Sequence, residues 1–246
     1  MKHLTLIFDF DGTIADTHQY IVEISNRLSK EFNFKLIHPH ELDQLKEKTS
    51  QEMIIHLNVP VMKIPAILAR AKSEFEKGLS SLQPIKGLKE TLLELKKMGF
   101  MLGIVSSNSQ ENISKFLKNH HIDIFDFIQP TRMVWSKNTA LKKILKNHNL
   151  NPYQVIYIGD EMRDIDAAHK AGLRVISVGW GYNSEKSLKK KRPNYLVRNP
   201  EDLLILCRKL HRSPRLFLSR TRFKHAGAFA KLFKPFLKLR RRRVRS

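Results

Sequence analysis

The chain has 246 residues, of which 41% are hydrophobic, enough for a globular protein with a buried core. Its formal net charge is +22, but 15 of its 45 Lys and Arg residues follow residue 207, where there is no Asp or Glu. The first 207 residues therefore hold 30 basic against 23 acidic side chains. The single cysteine, Cys207, excludes an internal disulfide, and no apolar run or leader pattern indicates a membrane span or signal peptide. We expect a cytoplasmic protein with a mildly basic body and a strongly basic end.

The first predicted element is a buried strand over residues 4–8, which runs directly into two carboxylates. If the extended backbone continues through Phe10, Asp9 and Asp11 project from the same side of the chain, and Gly12 then allows a sharp turn. Two crowded carboxylates repel each other, and a divalent cation would relieve that repulsion. Taken alone, the stretch is equally compatible with an acidic, solvated turn.

The next segment, residues 16–85, is predicted to be helical. Apolar residues recur there at helix spacing, and no strand pattern occurs before residue 82. Histidine and proline at residues 38–40 interrupt the first helix, and further helical patterns cover residues 53–57 and 64–75. We therefore predict a helical domain inserted directly after the first strand.

From residue 85 onward, helices and strands alternate. The predicted strands cover residues 101–105, 125–128, 155–158, 174–178 and 195–197. This alternation predicts an α/β protein with a doubly wound, Rossmann-like parallel sheet that is covered on both faces. The predicted core comprises residues 1–15 and 86–211, the helical insert residues 16–85, and the basic tail residues 212–246.

Polar side chains follow the strands of this sheet, and the carboxyl ends of parallel strands share one edge where ligands bind. Asp160 and Asp164 lie one helical turn apart, so both can face the same point. Ser106, with the backbone N–H groups of Ser107 and Asn108, offers a cradle for a phosphate. Together with Asp9, Asp11 and a lysine before a later helix, Lys137, these residues predict a pocket with carboxylates for a metal and donors for an anion.

In these motifs the chain resembles the haloacid dehalogenase-like hydrolase superfamily, and best its phosphoglycolate phosphatase-like branch, which carries a helical cap. The DxDGT motif of that family is found at residues 9–13, and its GDxxxD motif at residues 159–164. Between them, Ser106 matches the Ser or Thr that ends a strand in the second motif, and Lys137 matches the lysine of the third. The order and spacing hold over residues 4–178, and the helical insert lies where the branch carries its cap.

The resemblance implies a Mg²⁺-dependent phosphatase that acts on a small phosphorylated metabolite through an aspartyl-phosphate. Asp9 would be the nucleophile, and Asp11 the general acid and base, which requires a raised pKa. Mg²⁺ would be held by Asp9, the backbone carbonyl of Asp11, and Asp160, with Asp164 acting through water or from behind. The groups that would bind the substrate phosphate are Ser106, Ser107, Asn108 and Lys137.

Two alternatives stay open at this stage. A phosphomutase of the same superfamily would use the same Asp9 and Asp11 but return the phosphoryl group to a sugar. A non-catalytic binding protein would act through its basic tail instead. Phosphoglycolate is suggested as the substrate by the resemblance to the branch and by no particular residue, and the sequence does not reveal which residues of the insert select the substrate.

The tail, residues 212–246, has two interpretations. Aromatic and leucine side chains recur at helix spacing over residues 229–237, but Pro235 interrupts them, and an uninterrupted arginine run follows at residues 240–243. The first interpretation is a solvated, disordered tail. The second is an amphipathic basic segment that docks on nucleic acid or, more favourably given its apolar anchors, on an anionic membrane surface, which would make the protein peripheral to the membrane.

Overall fold

A computed structural model describes residues 4–131 and 136–212 of the chain. The predictions made for the tail beyond Arg212 therefore lie outside the described residues. Within them, six parallel strands form one sheet, in agreement with the predicted α/β class. The strands are β1 (Thr5–Phe8), β2 (Met101–Ser106), β3 (Phe127–Pro130), β4 (Val155–Gly159), β5 (Arg174–Val178) and β6 (Tyr195–Val197).

The strand order is β3-β2-β1-β4-β5-β6. The chain builds the sheet outward from β1 through β2 and β3, and then returns to the other side of β1 with β4. The order thus reverses between β1 and β4, where Phe8 pairs with Ile158. In open parallel sheets, such a reversal opens a crevice at the carboxyl ends of the two strands, and ligands bind there.

The helices cover both faces of the sheet and also form the insert. They are α1 (His18–Phe32), α2 (Leu42–Leu45), α3 (Ser50–His56), α4 (Ile64–Gly78), α5 (Leu88–Lys97), α6 (Gln110–Asn119), α7 (Lys137–Asn147), α8 (Met162–Lys170), α9 (Glu185–Lys190) and α10 (Pro200–Arg212). The first four follow β1 and precede the rest of the sheet, as the helical pattern of residues 16–85 predicts. The division into domains and the role of this insert as a cap stay predictions.

Two apolar clusters cover the two faces of the sheet. Within β1, Leu6 and Phe8 belong to one cluster and Ile7 to the other, because alternate side chains of a strand point to opposite faces. All three side chains are fully buried. Cys207 packs within the first cluster as a small apolar residue, and burial raises the pKa of its thiol to about 12.

Strand β3 begins later than its sequence pattern predicts, at Phe127 rather than residue 125. The reason is Asp126, whose side chain accepts a hydrogen bond from the backbone N–H of Leu102 at 2.8 Å. A carboxylate thereby takes the position of a backbone acceptor, and regular pairing starts at the next residue. The short helices α2 and α9 were not predicted; α9 contains one apolar residue, Leu188, among lysines, which leaves no helical periodicity to detect.

The helical insert is joined to the core by Asn183, a buried residue in the loop between β5 and α9. Its side-chain amide donates hydrogen bonds to the backbone carbonyls of Lys46 and Lys48, at 2.9 and 3.1 Å, in the loop between α2 and α3. Its carbonyl oxygen accepts a hydrogen bond from the backbone N–H of Met162, the first residue of α8, at 2.8 Å. One side chain thus connects the insert to the start of a core helix.

Among the described residues, no single helix combines the length and apolar character of a membrane span. The two segments at residues 50–56 and 61–81 together reach that length and composition, but they are bent by 119°.

We expect Asn183→Ala to destabilise the protein, because it removes three hydrogen bonds and leaves the buried backbone N–H of Met162 without its partner. An unpaired buried donor alone costs about 1–3 kcal/mol, and for a chain of this size 1 kcal/mol lowers Tm by about 2–4 °C. Thermal unfolding followed by circular dichroism should show a drop of at least several degrees. Asn147→Ala, at the exposed last position of α7, is the matched control and should stay within about 1 °C of the parent. Equal Tm values for the two variants would contradict this role of Asn183.

Candidate active site

Asp9 follows β1 at the point where the strand order reverses. Its backbone N–H still donates to the carbonyl of Ile158 in β4, at 2.8 Å, so the sheet fixes its position. The side chain is buried, with 3% of the residue exposed. One carboxylate oxygen accepts a hydrogen bond from the backbone N–H of Phe10 at 2.8 Å, and the other contacts the ammonium group of Lys137.

Asp160 and Asp164 join Asp9 at this edge, because β4 ends beside β1 and α8 starts directly after it. One carboxylate oxygen from each of the three residues lies within 4.8 Å of the others, and all three side chains are buried. At an effective dielectric constant of about 20, two unit charges at this separation repel by about 3–4 kcal/mol. Three ionised carboxylates would therefore cost about 10 kcal/mol, which is comparable to the whole stability of a domain. The cluster requires cations.

Lys137 supplies one of them. As the first residue of α7, it is 2% exposed and places its Nζ atom against Asp9 and, at 2.6 Å, against Asp164. Burial opposes the charge on Lys137, but the carboxylates of Asp164 and Asp9 more than offset it, so its pKa is raised. For Asp9 itself, burial raises the pKa and Lys137 acts in the opposite direction.

Asp160 is held by neutral donors. The hydroxyl of Thr13 donates to Oδ1 at 2.5 Å, and the backbone N–H of Tyr182 donates to Oδ2 at 2.7 Å. Among the ion pairs of the described residues, none involves Asp160. Burial therefore raises its pKa well above the usual value, and the charges of Glu161 and Asp164 add to that effect. A second cation beside Asp160 would remove this cost.

Two glycines allow the chain to pass close to Asp160. Gly12 has a φ of +74°, and a Cβ atom there would lie 2.5 Å from Oδ2 of Asp160 and from the ring of Tyr182. A Cβ atom on Gly181 would overlap the Asp160 carboxylate itself. Both glycines are therefore required by the packing of one carboxylate, and Gly12 also by its left-handed backbone.

Asp164 accepts hydrogen bonds on both oxygens. Lys137 contacts Oδ1, which also lies 3.4 Å from the hydroxyl of Tyr157, and the backbone N–H of Glu161 donates to Oδ2 at 3.1 Å. Because both carboxylate oxygens already accept hydrogen bonds, Asp164 fits the expected supporting role better than direct binding of a metal.

Asp11 lies outside the group of three carboxylates. Its Oδ1 atom is buried and has no hydrogen-bond partner in the described part of the chain. Burial raises the pKa of Asp11 to about 6, against the charge of Lys137 and a side-chain hydrogen bond from Asn108. The raised pKa that an acid and base at this position requires is therefore present. Its predicted contribution to a metal site, through the backbone carbonyl, stays a prediction.

The predicted phosphate cradle follows β2, the neighbour of β1 on the other side. Ser106 is fully buried, and its hydroxyl accepts a hydrogen bond from the backbone N–H of Asn108 at 3.0 Å. Ser107 is exposed, while Asn108 is partly buried and reaches Asp11. The structure thus links the loop after β2 to the loop after β1. Binding of a phosphate by these three residues stays a prediction.

Sequence reasoning missed the residues that support the carboxylates. Thr13 enters the sequence analysis only as the last residue of the DxDGT motif, and Tyr182 lies in none of the motifs, although both bind Asp160. The hydroxyl of Tyr182 also lies 2.7 Å from that of Thr17, at the start of the insert. No spacing rule connects residues about 165 positions apart. For Thr13, however, a hydroxyl directly after two carboxylates was a usable signal.

Comparison with known proteins places this site in context. A family model described as haloacid dehalogenase-like hydrolase matches residues 6–178. The phosphoglycolate phosphatase of Synechococcus elongatus is 32% identical over 200 residues, covering 81% of this chain and 94% of that protein. The pyrophosphatase PpaX of Bacillus mycoides is 26% identical over 214 residues, covering 83% and 96%. A crystal structure of a predicted phosphatase from Clostridium acetobutylicum superposes with a TM-score of 0.73 at 22% identity, covering 85% of this chain and 100% of that one, and shows the same fold.

We expect Lys137→Met to lower the free energy of unfolding by about 3–5 kcal/mol in EDTA at pH 7, because it leaves Asp9 and Asp164 buried without their cation. Urea unfolding measures this change. Lys143→Met removes an exposed lysine from the same helix and should change stability by less than about 0.5 kcal/mol. If both variants unfolded at the same urea concentration, the ion pairs of Lys137 would not be what stabilises the carboxylate cluster.

Proposed function

The chain belongs to the haloacid dehalogenase-like hydrolase family and is a phosphatase of that family, and we propose that it hydrolyses a small phosphorylated metabolite, with Asp9 as the nucleophile. The observation that carries this proposal is the position of Asp9. The sheet fixes its backbone where the strand order reverses between β1 and β4. Its carboxylate contacts Lys137 and lies beside two further carboxylates.

The residues at the site fit a divalent cation such as Mg²⁺. The cluster offers carboxylate oxygens, the ligands that Mg²⁺ prefers. The single ammonium group of Lys137 does not balance the negative charge of three carboxylates. We assign the binding of this ion to Asp9, the backbone carbonyl of Asp11, and Asp160, with Asp164 fixed behind them. When bound, Mg²⁺ would neutralise charge on the phosphoryl oxygens of the substrate.

In the first half of the proposed reaction, a carboxylate oxygen of Asp9 forms a bond to phosphorus while the bond from phosphorus to the leaving oxygen breaks. Asp11 donates its proton to that leaving oxygen. A pKa of about 6 leaves part of the Asp11 population protonated near neutral pH, whereas a carboxyl with an ordinary pKa would be almost fully ionised.

In the second half, Asp11, now ionised, accepts a proton from a water molecule. The oxygen of that water attacks phosphorus, and the bond between phosphorus and Asp9 breaks. Inorganic phosphate leaves, and both aspartates return to their starting states. Ser106, Asn108 and Lys137 are proposed to hold the phosphoryl oxygens during both steps, because preorganised donors and charges stabilise the transition state.

The substrate class follows from the relatives rather than from particular residues. The Synechococcus relative is a phosphoglycolate phosphatase and the Bacillus relative a pyrophosphatase. We therefore propose a phosphoglycolate-like phosphomonoester as the first substrate to test and pyrophosphate as the second.

We expect Asp9→Asn to reduce phosphate release by about a thousandfold or more, because the amide is a poor nucleophile. The assay uses 2-phosphoglycolate, pyrophosphate and sugar phosphates with Mg²⁺. Asp123→Asn, at an exposed position of the core, should keep full activity. Acid-quenched parent protein should carry label from a ³²P substrate, and Asp9→Asn should not. Full activity in Asp9→Asn would refute the mechanism, and conversion of a sugar phosphate to its isomer without release of phosphate would indicate a mutase.

We also expect Mg²⁺ to raise Tm by several degrees when present at about 100 times its Kd, since binding then stabilises the folded state by about 2.7 kcal/mol. EDTA should abolish this shift, and Asp160→Asn should largely remove it. Asp166 lies on the helix that follows, α8, outside the cluster, and its carboxylate pairs with Lys191, so Asp166→Asn should retain the shift. An unchanged shift in Asp160→Asn would contradict the assigned ligands.

A further inference from the structure

Arg163 is a second cationic side chain beside the carboxylate cluster, and the mechanism above does not use it. It is the second residue of α8 and lies between Asp160 and Asp164 in the sequence. One of its Nη atoms forms an ion pair with Glu161. Its Nε atom is buried and has no hydrogen-bond partner within the described residues.

The charge of Arg163 acts on the reacting carboxylates. It lowers the pKa of Asp11. Burial opposes the charge on Arg163 itself, but the carboxylates of Glu161, Asp164 and Asp9, in that order, raise its pKa. Arg163 and Lys137 differ in accessibility. Lys137 is 2% exposed and contacts two aspartates, whereas 32% of the Arg163 side chain is exposed. Arg163 is therefore the more accessible of the two cations.

Glu161 explains why an arginine is useful at this position. Its carboxylate is 14% exposed and would repel an anionic substrate if it stood alone. Its pairing with Arg163 cancels that charge and holds the guanidinium in place. A guanidinium presents five N–H donors in a rigid plane, so binding Glu161 leaves donors for a second oxyanion.

We propose that Arg163 determines specificity by binding a second anionic group of the substrate, a carboxylate or a second phosphoryl group, while the reacting phosphoryl group lies at Asp9. This inference rests on the proposed phosphatase function. It gives the substrate class a definite chemistry: two oxyanions a short distance apart on a small molecule. Neutral phosphate esters would make only half of these contacts.

The test compares substrates of similar size that differ in their second group. 2-Phosphoglycolate carries a carboxylate, pyrophosphate carries a second phosphoryl group, and 2-hydroxyethyl phosphate carries a neutral hydroxyl. For Arg163→Gln, kcat/KM should fall about 10- to 100-fold more for the preferred anionic substrate than for 2-hydroxyethyl phosphate, mainly through KM, because a charge-assisted hydrogen bond contributes about 1.5–3 kcal/mol. The anionic substrate that loses more identifies the second group.

Two further variants complete the design. Arg163→Lys keeps the charge without the planar donors and should recover part of the discrimination. Arg198→Gln breaks an exposed arginine–glutamate pair with Glu185 and should leave all rates unchanged.

An equal loss for anionic and neutral substrates in Arg163→Gln would overturn the inference, as would a parent enzyme with no preference for the anionic substrates. A folded parent protein that hydrolyses none of the three would instead overturn the proposed function.

Discussion

The burial of three carboxylates at one edge of the sheet is the constraint on which the rest of the site depends. The strand order places Asp9 and Asp160 at the ends of neighbouring strands, and the first turn of α8 adds Asp164. Their mutual repulsion would be comparable to the stability of a domain, so each carboxylate requires compensation. Lys137 compensates Asp9 and Asp164, whereas hydroxyl and amide donors hold Asp160. The resulting deficit of positive charge is the physical basis for the metal binding and the phosphoryl chemistry proposed above.

The same compensation explains features that look unrelated in the sequence. Asp160 accepts a hydrogen bond from the backbone of Tyr182, and that backbone approaches closely only because residue 181 is a glycine. The Tyr182 hydroxyl then meets Thr17 just before α1, where the insert leaves the core. The loop that follows β5 is therefore part of the site, although it contributes no acidic side chain to the cluster.

Much of the fold and the convergence of Asp9, Asp160 and Asp164 could be predicted from the sequence, because both depend on local patterns. Apolar runs alternating with helical periods specify the sheet, and the carboxylates directly follow its strands. Lys137 was harder to identify, since a single lysine in a lysine-rich chain carries no signal. Only its place in the order of the motifs pointed to a role in the site, and nothing in the sequence predicted its burial. The start of β3 could not be predicted for a different reason. The side chain of Asp126 replaces a backbone acceptor, which shifts the start of the strand without changing the apolar pattern of the sequence. Asn183 acts through contacts between distant segments, and Arg163 through its charge. The periodicity of apolar residues encodes neither.

Asn183 links the helical insert to the edge of the sheet that carries the carboxylates. It binds the backbone of Lys46 and Lys48 in the insert and also the backbone N–H of Met162 at the start of α8. The bond to Met162 lies within the core, so movement of the insert away from the site must break the other two. The turn of α8 that Asn183 fixes is the one that carries Arg163 and Asp164. The contact of the insert with the core and the placement of these two charges therefore depend on the same side chain.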